Sequence, residues 1–279
     1  MRKIPKLSSF WIRIIALLTM TIDHVGVFLD FSNYYILRVI GRLALPLFVF
    51  LTVEGALKTH NKRNYFLRML YIFLGVAVVL VCLTHFGGIF QEVAFTSGNI
   101  FLDLLLVLLS VWILESENKK IKPLILLPVL YSIFSYTVIK LEGCGCDGLY
   151  MWFYPPIRMQ YGFYSILLGL GFYYATKLTP KFVNKYYPIN IEDENFNRVI
   201  NNIFSVIVLV FASIILMLVN MAFGDKYYMM LDGIQTYAII SSVFILLYNG
   251  KKGYSSKWFR IAYYLYYPLH IGIISLFFL

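Results

Sequence analysis

Two apolar stretches near the start of the chain carry ionisable side chains where a bilayer-spanning helix tolerates them least. FWIRIIALLTMTIDHVGVFLD holds Arg13, Asp23 and His24, and YYILRVIGRLALPLFVFLTVEGA holds Arg38, Arg42 and Glu54. A charge at bilayer depth costs about 3 kcal/mol or more, so these groups belong in a protein interior or a water-filled cavity. An imidazole there is a candidate general base or acyl-accepting nucleophile, and a guanidinium is a candidate clamp for a phosphate or an oxyanion.

Such residues need helices to hold them, and the composition supplies little else. The chain of 279 residues is 60% hydrophobic, 18% aromatic and 14% charged, with a mean hydropathy of +0.75. A soluble domain carries about 25% charged residues, so the expected class is an all-α, polytopic transmembrane bundle. About 20 apolar residues cross the hydrocarbon core, which predicts nine spans at 10–30, 35–57, 66–85, 99–115, 122–140, 160–177, 200–222, 229–248 and 259–278. The first contains Asp and His and lacks a small-x-small cleavage site, so it is expected to remain as the first helix.

The basic residues set a direction. With the N-terminus inside, eighteen fall on cytoplasmic segments and four outside (Arg38, Lys140, Arg158 and Lys226), as the positive-inside bias requires. That bias explains the net charge of +10 without a nucleic-acid partner. The expected organisation is one integral membrane domain over 1–279, with 178–199 as a cytoplasmic loop. Cys144 and Cys146 are too sparse for a zinc site and too close for a relaxed disulfide.

Orientation also gives depth. Asp23, His24, Arg42, Asn99, Asp103, Gln160, Asp232, Gln235 and His270 fall at the outer ends of their spans, which predicts a polar pocket on that side. Arg13 and Glu54 fall at the cytoplasmic ends of adjacent antiparallel spans and are expected to pair there, beside the basic loops 58–68 and 251–260. Arg13 and His24 are eleven residues apart, nearly whole turns, and so share a helix face about 16 Å apart. Asp23 projects about 100° from His24 and needs another partner, Arg42 being the natural one. Pro46 and Pro268 free the carbonyls of Arg42 and Tyr264 from their helical bonds.

With these residues in order, the chain resembles the TraX family of integral membrane proteins, named for conjugative pilin N-acetylation. The matching stretches are IIALLTMTIDHVGVF, RVIGRLALPLFVFLTVEG, GNIFLDLLLVLLSVW, YGFYSILLGLGFYY, LYNGKKG and WFRIAYYLYYPLHIGI. The family looks like a branch of the transmembrane acyltransferases, whose acyltransferase-three members often carry Arg-x10-His in the first helix, the spacing of Arg13 and His24. The resemblance carries over Asp23, His24, Arg42, Glu54, Asn99, Gln235 and His270. One departure is Gln160, where an acidic residue is expected before Tyr161-Gly162.

The resemblance implies an integral membrane acyltransferase that takes acetyl from cytosolic acetyl-CoA, with no metal. Arg13, Glu54, Lys58, Arg63, Lys251 and Lys252 are the expected cofactor-binding residues. His24, Asp23, Arg42, Asn99 and His270 are the expected catalytic set, with His24 as base and Arg42 or Asn99 on the oxyanion. The acceptor would be an outer-face amine or hydroxyl, on a pilin N-terminus or a surface glycan. Two rivals use the same residues: a transporter for a small polar or anionic solute, and a non-enzymatic assembly factor. Bland readings compete too, since a buried His can simply pack, Asp23–Arg42 can be structural, Asn99 and Asp103 can cap a helix, and basic loops can serve topology alone.

Overall fold

A computed structural model describes residues 6–28, 35–86, 97–142, 153–223 and 233–278. Its helices are α1 (Ser9–Phe28), α2 (Tyr35–Gly41), α3 (Ala44–Lys58), α4 (Lys62–Phe86), α5 (Ile100–Leu114), α6 (Leu126–Glu142), α7 (Phe163–Tyr186), α8 (Glu194–Phe223), α9 (Ser242–Leu246) and α10 (Lys257–Phe278). Among the described residues there is no strand. Five segments are long and apolar enough to cross a membrane: Ser9–Val27, Tyr35–Lys58, Lys62–Phe86, Lys122–Ile139 and Glu194–Ala222. The protein is an all-α, multi-pass membrane protein. Cys144, Cys146 and Asp232 lie outside the described residues.

Helix α3 is the axis of the bundle. Nearly all of it is buried, and it packs against α1, α5 and α7. Its start is set by Pro46. Lacking an N–H, Pro46 cannot bond the Arg42 carbonyl, and its ring crowds the preceding turn. The second apolar stretch therefore breaks at Arg42–Leu43, where Leu43 N donates to Ile40 O at 3.2 Å, and α3 restarts with the proline in its first turn. Pro268 has a milder effect, for α10 runs through it as one helix.

Two expected boundaries change. The stretch 178–199 is mostly helix, because α7 continues to Tyr186 and α8 begins at Glu194. Polar residues end a membrane span without ending a helix that emerges into water. The span expected at 229–248 holds a 3-10 segment, Gly233–Ser241, followed by the single turn and a half of α9.

Two close approaches fix α1 against α2. A methyl group on Gly41 would collide with the Asp23 side chain, and one on Gly26 would stand 2.9 Å from Leu37 Cβ. Small residues let helix backbones approach in lipid, where packing rather than hydrophobicity drives association. Here the gap at Gly41 is filled by the Asp23 carboxylate itself.

Candidate functional site

The basic end of the bundle is built by residues 7–10 lying beside 247–252. Leu7 N donates to Leu247 O, Asn249 N to Leu7 O and Ser9 N to Lys251 O, each at 2.9 Å. Ser9 Oγ donates to Lys252 O at 2.9 Å, and Lys58 Nζ to Gly250 O at 3.0 Å. These bonds bring Lys252 to the first turn of α1, one turn before Arg13. The cavity there has a volume of about 580 Å³ and includes Arg13, Glu54, Lys58, Arg68, Lys252 and Arg260 in its wall. That is the size of a small-molecule site.

Some expected assignments at this end change. Glu54 does not pair with Arg13. It contacts Lys58, one turn along the same helix, at 2.7 Å, and, from far along the chain, Arg198 of α8 and the Tyr248 hydroxyl at 3.4 Å, so its charge is already answered. The Arg13 guanidinium lies 5.7 Å over the Tyr263 ring, a cation–π contact that leaves its N–H groups available. Arg63 and Lys251 do not line the cavity and are exposed to solvent. Arg68 and Arg260 take wall positions instead.

Beside this chamber two narrower cavities lie along one face of α1. The first, about 60 Å³, is lined by Arg13 and Leu17 and shares Tyr65, Tyr263 and Tyr264 with the chamber. The next, about 100 Å³, is lined by Met20, Asp23, His24 and Val27, and shares Ile100 and Tyr267 with the one before it. The face predicted from the Arg13–His24 spacing is therefore lined by cavities from end to end. They form a series: wide at the basic end, narrow in the middle, and ending at a histidine.

The ring of His24 is oriented from behind. His24 Nδ1 lies 2.8 Å from His270 Nε2, and His270 Nδ1 lies 2.9 Å from the Tyr266 carbonyl oxygen. A carbonyl only accepts, so His270 Nδ1 carries the proton and its Nε2 accepts. His24 Nδ1 must then donate, which leaves His24 Nε2 with the lone pair. Among the described residues that nitrogen has no hydrogen-bond partner. Tyr266 stacks on His270 with ring centroids 5.0 Å apart, and its hydroxyl lies 2.6 Å from Thr21 Oγ1 on α1. His270 does not line the cavity and meets the His24 ring from the side away from it.

The charges beside His24 are braced against one another. Asp23 accepts from Arg42 Nη2 at 2.6 Å on both oxygens and from Arg38 Nη1 at 2.8 Å. Arg42 also donates through Nε to Arg38 O at 3.2 Å and through Nη1 to Gln235 Oε1 at 3.4 Å. The Asp23–Arg42 pair is as expected. Arg38, counted as an outer flank, is instead a buried second guanidinium. Arg42 is 2% exposed and does not line the cavity.

Asn99 is likewise taken up by structure. Its Oδ1 accepts from Phe101 N at 3.0 Å, capping α5, and its Nδ2 donates to Phe73 O at 3.1 Å. An oxyanion role for Arg42 or Asn99 therefore lacks geometric support. Asp103 accepts from Gln160 N at 2.7 Å, Tyr161 N at 3.1 Å and Ser165 Oγ at 2.8 Å, which ties α5 to the start of α7. Gln160 in turn accepts from Gly98 N at 2.6 Å. Gly98 is required there, since a Cβ would come within 2.6 Å of the Met159 backbone. Gln160, Asp23 and His24 are the members of the expected outer set that do line the cavity.

The structure adds Tyr161 and Tyr267, both buried and both lining the His24 cavity. Among the described residues neither hydroxyl has a hydrogen-bond partner. The Tyr267 ring meets His24 edge-on at 6.5 Å and Phe101 at 4.5 Å. The signal was present in YYLYYPLH, where Tyr263, Tyr267 and His270 recur at i, i+4 and i+7 on one helix face. Among the described residues no cluster of three or more His, Cys, Asp or Glu is placed to hold a metal ion.

A family model described as "TraX protein" matches residues 8–277. A probable fimbrial assembly protein, FimC of serogroup H1, from Dichelobacter nodosus is 25% identical over 275 residues, covering 96% of this chain and 94% of that one. No solved structure matches.

Proposed function

The chain belongs to the TraX family, and from that membership and the cavity series along α1 we propose a membrane acetyltransferase fed by cytosolic acetyl-CoA. The observation that carries this reading is the continuity of one α1 face, from a basic chamber of about 580 Å³ to a histidine whose outward nitrogen is a base. The basic end is the cytoplasmic one by the positive-inside bias. Nucleotide and phosphates would sit in the chamber against Arg13, Lys58 and Lys252. The slender thioester arm would widen the two narrow cavities and bring its carbonyl to His24.

In the transfer step His24 Nε2 removes a proton from the acceptor amine or hydroxyl as that atom bonds to the thioester carbonyl carbon. The carbonyl π electrons move to oxygen, and the Tyr267 and Tyr161 hydroxyls are the donors in reach of that oxyanion. Collapse breaks the C–S bond, and the thiolate takes the proton back from His24. Atoms and charge balance without a metal. The relative named for fimbrial assembly makes a fimbrial or pilin subunit the first acceptor to try.

The test is titration calorimetry with acetyl-CoA, followed by acetyl transfer in vesicles. His24→Ala should bind acetyl-CoA normally and lose transfer by a factor of about 10²–10⁴, the range for a general base. Full transfer by an inserted His24→Ala protein would refute the assignment. The relative's printed name also favours a second reading, a non-enzymatic assembly factor. That reading predicts no acetyl-CoA binding by the intact protein.

A further inference from the structure

Another cavity, of about 500 Å³, lies between α4 and α10. Its floor and walls are apolar, with Ile72, Gly75, Leu265 and Pro268, while Arg68, Lys257 and Arg260 also line it. Lys257 opens α10, Arg260 is one turn into it, and Arg68 lies six residues into α4 from its basic end. The three cations therefore gather at one end of the cleft. Among the described residues none of them makes an ion pair. Beside the cleft run two exposed apolar stripes, Tyr71, Leu74 and Val78 on α4, and Ile261, Leu265 and Leu269 on α10. Those spacings of three and four keep each stripe on one face, and in a membrane protein such a face meets lipid. The cleft is thus a furrow in the lipid-facing wall, cationic at one end and apolar along its length.

We propose that this cleft binds an anionic phospholipid of the leaflet at the basic end. Its phosphate is held by Arg68, Lys257 and Arg260, and one acyl chain lies along Gly75 and Pro268. The polarity matches that of a lipid: cations at the basic end of the cleft, then an apolar length. Basic pockets between transmembrane helices take such headgroups. Gly75 keeps the floor open, since a Cβ there would meet only Pro268, at 3.9 Å. Arg68, Arg260 and Tyr264 also line the basic chamber, so a bound lipid would form part of that chamber's lateral wall. The site stands whether or not acetyl-CoA is the chamber's ligand.

The test uses the full-length protein in detergent without acetyl-CoA. Retention of phosphatidylglycerol is compared with that of phosphatidylcholine of identical chains, by native mass spectrometry. The unsubstituted protein should favour phosphatidylglycerol by about tenfold. Lys257→Gln with Arg260→Gln should bring that ratio near unity. Gly75→Trp, which changes no charge, should reduce retention of both lipids by filling the floor. Equal retention of the two lipids by the unsubstituted protein overturns the proposal, whatever the variants do. So does an unchanged ratio in the double variant, unchanged retention in Gly75→Trp, or complete displacement of the lipid by inorganic phosphate, which would assign the cations to a free anion.

Discussion

The two ends of the α1 face treat charge in opposite ways. Around His24 every formal charge is held in protein contacts: Asp23 bridges the guanidiniums of Arg38 and Arg42, and Asp103 is held by two backbone N–H groups and a serine. What remains for a ligand is neutral, namely one imidazole nitrogen and two tyrosine hydroxyls. At the basic end Arg13, Lys252, Arg68 and Arg260 line an open chamber with no ion-pair partner among the described residues. Glu54, the carboxylate of that wall, is occupied by Arg198 and Lys58. Buried charge at one end is scaffold, and half-exposed charge at the other is free to bind an anion.

The largest effect should come from breaking that scaffold. Asp23→Ala leaves two buried guanidiniums without their carboxylate, and removing one partner from such a buried pair costs about 3–5 kcal/mol. A lower unfolding temperature in detergent and poor recovery of inserted protein are expected. An Asp23→Ala protein with unchanged thermal stability but no transfer activity would reverse the comparison, making the outer charges catalytic.

Tyr267→Phe tests the neutral side of the same contrast. The ring contacts with His24 and Phe101 survive and only the hydroxyl is lost. Removing one oxyanion donor lowers kcat by about 10²–10³, with stability and acetyl-CoA affinity unchanged. A fall in affinity with kcat preserved would place Tyr267 in the binding path instead.

His270 should matter less, because it acts through His24. His270→Leu removes the acceptor for His24 Nδ1, and loss of such a supporting partner costs about 10–100-fold in rate by analogy with supported metal ligands. His270→Gln keeps an acceptor oxygen and should recover most of the activity. Equal loss in both variants, alongside equal loss of thermal stability, would reduce His270 to packing.

What the sequence made legible was local. The Arg13–His24 face follows from helix periodicity, the interruption before α3 from Pro46, and the need of Asp23 for a partner from its direction on α1. What it hid was partnership across the chain. His24 and His270 are 246 residues apart, and Glu54 meets Arg198 across 144; no spacing rule reaches that far. Counting charges places Arg38, near a span's end, in the flank, whereas Gly41 lets α2 approach α1 closely enough to bury it. Asn99 was legible as a cap, an Asn directly before an apolar helix. Only the structure shows that both ends of its amide are then used.

The smallest expected effect separates the ends most cleanly. Arg13 touches no carboxylate among the described residues and rests on the Tyr263 ring, so its removal strips no partner of a bond and should leave stability nearly unchanged. Its guanidinium belongs to the walls of both the basic chamber and the first narrow cavity, where the phosphates of acetyl-CoA would give way to the slender arm. A single charge-assisted contact to phosphate contributes about 1.5–3 kcal/mol, and exposure to salt reduces it. Arg13→Ala should therefore weaken acetyl-CoA binding by about tenfold, raise KM and spare kcat at saturation. Arg13→Lys should recover part of the affinity, and the difference between variants should shrink as salt is added. A fall in kcat with KM unchanged would mean that Arg13 acts at the reacting carbonyl, and the distinction between a binding end and a chemical end would collapse.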